Sequence, residues 1–129
     1  MSNATSFCLS KHAIDRLRER FPEQKEWLQY YDKINENALR VKARYEFMQG
    51  AKEEKAFLND TRFMMGIYDR YGYDRHYRIF VKDGIILIGV EGTDGNVIAT
   101  AIPKNEHYSP HIKHSRKKFT KREAKHGNQ

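Results

Sequence analysis

The chain has 129 residues, 39% hydrophobic and 12% aromatic, which predicts one domain with material for a core and excludes a disordered chain. Its formal charge is +7, and the excess sits at one end: residues 104–129 hold eight Lys or Arg against Glu106 and Glu123, a net of +6, leaving +1 for residues 1–103. A single cysteine, Cys8, excludes a disulfide framework and a cysteine-based metal site, and the longest apolar run, Gly84 to Val90, is far too short to span a membrane.

In chain order, "SFCLS" is strand-like, and it makes Cys8 a small buried side chain rather than a nucleophile. Ser10 is a suitable helix N-cap, because its hydroxyl can take a free backbone N–H of the first turn. Ala13, Ile14, Leu17 and Phe21 then recur at helical spacing as one apolar stripe. Pro22 ends that helix or begins the next. From Glu23 to about Met48 the pattern stays helical, with a break near Asn35 to Asn37. Trp27, Leu28, Tyr31, Ile34, Leu39, Val41 and Tyr45 form its expected buried face. Gln49 to Lys55 is polar and reads as a loop or a short helical turn.

After Leu58 the composition turns β-branched and aromatic. Residues 62–69 read as a strand, with a short helix as the competing reading. Three further strands, near 75–82, 85–91 and 96–102, are joined by "KDG" and "TDG", where Asp-Gly favours tight hairpin turns. Pro103 stops the last strand. The order, helices first and then strands, predicts an α+β fold: N-terminal helices on an antiparallel sheet of three to four strands, in a domain over residues 1–103. Residues 104–129 read as a basic, flexible tail, suited to a polyanion such as nucleic acid or to solubility alone.

Several residues suit chemistry on a phosphodiester. His12 and Arg16 stand four apart on the first helix, so they share a face, with Arg20 a turn further on; Asp15 and Glu19 are local partners on what is otherwise a solvated face. On the sheet, "RHYR" puts Arg75 and Tyr77 on one face of a strand and His76 and Arg78 on the other. Arginine is costly in a sheet unless it is paired or faces a cleft. Thr100 is a lone hydroxyl in an apolar last strand, where β-propensity alone also accounts for it. "YDRYGYDRHY", Tyr68 to Tyr77, interleaves aromatics with arginines, as surfaces that stack single-stranded bases do, or as a sheet edge with snorkelling tyrosines does. His107, His111 and His114 are too loosely spaced, without a nearby Cys or acidic ligand, for more than incidental metal binding, so no metal or cofactor is expected.

"SKHAIDRLRERF", followed by helices, Asp-Gly hairpins and a strand ending "VIATAIP", resembles small proteins of the RelE-like ribonuclease-toxin fold, which also groups barnase, EndoU and colicin-type tRNA nucleases. Within that fold it is most similar to families of unknown function whose first helix reads His-Ala-x-x-Arg-x-x-Glu-Arg, matched here by His12, Ala13, Arg16, Glu19 and Arg20. The resemblance spans roughly residues 9–103; the long insertion between first helix and sheet departs from the most compact members. It implies metal-free transesterification of RNA, in which the ribose 2′-hydroxyl attacks the adjacent phosphate and leaves a 2′,3′-cyclic phosphate. On that reading His12 is general acid or base, and Arg16 and Arg78 clamp the phosphate. His76 and Tyr77 compete for the second proton transfer. Arg20, Arg75 and Thr100, with Lys113, Arg116, Lys117, Lys118, Lys121 and Arg122 of the tail, contact the nucleic acid. Of the catalytic residues only His12 and Arg16 rest on the matched motif; Arg78, His76 and Tyr77, like Thr100, come from position and chemistry.

Three functions follow as alternatives. The first is a small cytoplasmic endoribonuclease, toxin-like or a phage-encoded effector, acting on free or ribosome-bound RNA and with a protein antitoxin as a conceivable partner. The second is a non-catalytic nucleic-acid-binding module that uses the basic tail. The third is an inhibitor of a host protein. None of them involves a membrane, and no signal peptide is expected, since the N-terminus lacks a basic region followed by a long apolar one.

Overall fold

The computed structural model describes residues 3–104. Two short turns organise its sheet. Asp83 (φ 49°) and Gly84 (φ 78°) both adopt the positive φ that a two-residue primed turn requires, and they join β3 (His76–Lys82) to β4 (Ile85–Gly92). Thr93 and Asp94 then lead into β5 (Gly95–Pro103). These three strands match the sequence expectation to within one residue at each end. Two shorter strands complete the sheet: β1 (Phe7–Leu9), parallel to β5, and β2 (Lys52–Glu53), antiparallel to β3. The order is β1-β5-β4-β3-β2, so the sheet is mixed and five-stranded rather than antiparallel with three to four strands. β1 falls in the strand-like "SFCLS", but its pairing with β5 leaves no sequence signal, and the two-residue β2 is too short for a readable alternation.

The helices are α1 (Lys11–Arg20), α2 (Lys25–Asp32), α3 (Asn37–Glu46) and α4 (Thr61–Tyr71). Ser10 caps α1 as expected, its hydroxyl accepting from the Ala13 N–H at 3.0 Å. The expected strand at 62–69 is instead α4. Asp60 caps it through the Phe63 N–H, and Phe63, Met64 and Ile67 fall on one helical face. There the helical spacing and the cap outweigh the β-rich composition. Gly72 (φ 105°) stops it. Among described residues no helix is long and apolar enough to cross a membrane.

The fold is α+β, with an apolar cluster on each face of the sheet. Phe7, Leu9, Phe80, Leu87, Ile98 and Ala101 face α1, α2 and α3, where Leu17, Phe21, Leu28 and Phe47 meet them. Tyr77, Ile79, Ile86, Ile88 and Val90 face α4 and the 3₁₀ turn Lys55–Asn59. β4 contributes to both clusters, which is why "IILIGV" is apolar without alternation. In α3 the expected buried face is wrong: Leu39, Val41 and Tyr45 are exposed, whereas Ala43, Phe47 and Met48 are buried. The break after Asp32 resets the helical phase and turns Val41 and Tyr45 about 160° from Ala43.

Candidate functional site

The three arginines of α1 have three different surroundings, fixed by their angles around the helix. Arg20 borders the apolar stripe and donates to the Ala101 carbonyl at 3.3 Å, on the part of β5 that runs past the end of β1. It therefore helps satisfy a sheet edge. Ser10 does the same nearby, its N–H donating to Ile98 O and its hydroxyl to Ala99 O. Arg18, on the opposite flank, forks onto both oxygens of Asp32 at the end of α2; the Asp32 carboxyl is held below its usual range by that bond and Arg18 is pushed up.

Arg16 shares the crest of α1 with His12 and Glu19, the three falling within about 60° of one another, and it stands at the edge of that face, about 60° from buried Ala13. Its Nε donates to His12 Nε2 at 3.2 Å, and its Nη1 donates to Glu19. His12 and Glu19 are exposed and Arg16 is half-buried. One guanidinium thus links an imidazole lone pair to a carboxylate on an open surface.

Arg78 is placed otherwise. Its Nε and Nη2 bond both oxygens of Glu53 at 2.8 Å, and its Nη1 bonds Glu91 at 3.1 Å. The guanidinium lies 5.6 Å from the Phe7 and Phe80 ring centres, and its side chain is 12% exposed. Hydrogen bonding by Arg78 holds the Glu53 carboxyl below its usual range, and Glu53 in turn raises Arg78. With Nε, Nη1 and Nη2 all bonded to the two carboxylates, Arg78 serves as a structural cation rather than the expected phosphate clamp. β2, too short to announce itself, brings Glu53 there. Glu91 was legible: the two-residue turn sets Lys82 opposite Ile85 and hence His76 opposite Glu91.

Tyr77 is buried against α4, its hydroxyl donating to Gly72 O, and burial pushes its phenol up; it is no accessible proton donor. Thr100 is 6% exposed and stands opposite Ile88 of the α4-facing cluster, across the sheet from α1, so it is not a surface contact for nucleic acid. His76 and Arg75 are exposed at the start of β3. Cys8 is half-buried, and burial pushes its thiol up while Arg44 pulls it back. Lys113, Arg116, Lys117, Lys118, Lys121 and Arg122 lie outside the described residues, as do His107, His111 and His114. Of the expected catalytic set, the structure brings together His12 and Arg16 and adds Glu19, which the sequence offered only as a local partner. Among described residues no three His, Cys, Asp or Glu side chains converge as metal ligands.

No family model matches the chain, and no curated protein or solved structure is significantly similar to it.

Proposed function

We propose that this chain is a small metal-independent endoribonuclease of the RelE-like kind, working in the cytoplasm, with the crest of α1 as its reactive surface. The observation that carries this reading is the His12–Arg16–Glu19 linkage on an exposed helix face. A substrate phosphate draws the Arg16 guanidinium onto its oxygens, where a planar fork suits the dianionic transition state. That movement frees His12 Nε2 to take or give a proton within reach of the same phosphate, a role worth roughly 10²–10⁴ in rate. Arg78 and Tyr77 take no part, since their polar groups serve the fold.

The test is incubation of total cellular RNA with the protein in EDTA, with the fragment ends analysed chemically. Fragments ending in 2′,3′-cyclic phosphate support the reading; intact RNA, or cleavage that needs added metal, removes it. A second reading, a non-catalytic nucleic-acid-binding protein, is favoured by the placement of charge. The +6 carried by residues 104–129 adjoins an almost neutral remainder, and only two of the expected catalytic residues meet. It predicts affinity that falls steeply with salt and is unchanged by His12→Ala.

A further inference from the structure

At the end of α4 the aromatics of "YDRYGYDRHY" form a stack of a particular shape. Tyr77 is the buried base, pinned by its hydroxyl to Gly72 O. Tyr68 leans on it, with ring centres 5.9 Å apart and planes tilted by 55°. Tyr73 lies nearly flat on Tyr68, at 5.0 Å and 28°. Tyr73 is nonetheless 62% exposed, more than any other large hydrophobic residue of the described chain. One ring face is therefore supported by Tyr68 and the other is left to water. A snorkelling tyrosine does the reverse, laying its ring on the protein and extending only its hydroxyl.

The surroundings fix the ring in place. Gly72 at φ 105° lets the chain reverse straight after α4 and bring Tyr73 back over Tyr68. The Tyr73 hydroxyl reaches Asp69, in the last turn of α4, at 3.5 Å. Arg75 crosses the turn, its Nε 4.0 Å from where a Gly72 Cβ would stand. The charges of Asp69, Arg70, Asp74 and Arg75 cancel, so this surface has no net attraction for phosphate. What it offers is an open π-face on a fixed support, and the ligand that fits is flat, aromatic and electrically neutral.

We propose that Tyr73, backed by Tyr68, is a stacking platform for an unpaired nucleobase of a single-stranded nucleic acid. This rests on the nucleic-acid reading above but not on cleavage. Phosphate attraction comes from basic residues elsewhere, and the platform adds a base contact that salt scarcely weakens.

The test is anisotropy of a labelled deoxyoligonucleotide of about ten nucleotides, within the span one such module covers, bound by the full chain. DNA lacks the 2′-hydroxyl and so reports binding without turnover. A second oligomer of equal length carries abasic sites, which keep the phosphates and remove the bases. Tyr73→Ala is expected to weaken the first oligomer about 5- to 150-fold and to leave the abasic one unchanged, while Tyr73→Trp restores binding. Equal affinity of wild type and Tyr73→Ala for the base-bearing oligomer overturns the platform. So does an equal loss on both oligomers. Failure of wild type to bind either oligomer overturns the platform together with the nucleic-acid reading. Binding lost with Tyr73→Ala in a protein that cleaves no RNA supports the platform and removes only the nuclease.

Discussion

Arg16 and Arg78 are the same residue type and each is ion-paired, yet they belong to different kinds of surface. Arg16 stands on a helix crest with one imidazole and one carboxylate. Arg78 is enclosed by two carboxylates and two phenylalanine rings. An arginine with spare donors in the open can change partners when an anion arrives. One whose fork is filled by a bidentate carboxylate cannot do so without exposing charges the fold has already desolvated. Residue type suggested the same role for both. Partners and burial separate them.

Substitutions sharpen that contrast. Arg16→Ala is expected to lower RNA cleavage by roughly 10²–10³, the usual cost of losing one transition-state donor, with the melting temperature little changed because its polar partners, His12 and Glu19, are exposed residues of the same helix. Arg78→Ala is expected to do the opposite: urea unfolding should show a loss of about 3 kcal/mol, the lower end for a broken buried pair because Glu91 keeps some water. Unchanged stability would remove the structural role assigned to it. Gly89→Ala tests the same region from beneath. A Cβ there meets Phe7 Cε2 at 2.8 Å and Arg78 O at 3.0 Å. Seating it must displace the ring beside the guanidinium, for about 1–3 kcal/mol in the same assay.

The smallest effect is the acid response. The folded-state pKa of Glu53 is depressed by Arg78. Its contribution is therefore complete above the ordinary glutamate value of about 4.3 and is lost as pH falls through the depressed value. Urea midpoints taken from about pH 5 downward should decline more steeply for wild type than for Glu53→Gln. Parallel slopes would show that Arg78 does not hold this carboxylate in its charged form.

The parts of the fold legible in the sequence were those with local signals. Ser10 and the Ala13–Leu17 stripe gave α1, and the two Asp-Gly turns gave three strands almost to the residue. β1 and β2 were not legible as members of the sheet, because pairing of Phe7 with Asn96 or Glu53 with Phe80 is settled by tertiary contact. α4 was misread where composition outweighed spacing, although Asp60 ahead of Phe63 and Met64 was a usable helix start. For the site, helical spacing was enough to join His12 with Arg16. It could not say that Arg18 and Arg20 are tied to Asp32 and Ala101 O, nor that Glu53 arrives to occupy Arg78. A side chain's availability is decided by its neighbours, and most of these neighbours are distant in sequence.

The most direct test sets His12→Ala against Arg78→Ala, measuring RNA cleavage in EDTA and thermal unfolding on both. His12→Ala is expected to lower cleavage by roughly 10²–10⁴ at an unchanged melting temperature. Arg78→Ala should melt lower yet still cleave at a temperature where it remains folded. A His12→Ala protein that cleaves like wild type, or an Arg78→Ala protein that is fully folded and inactive, would contradict the assignment of the reactive surface to the crest of α1.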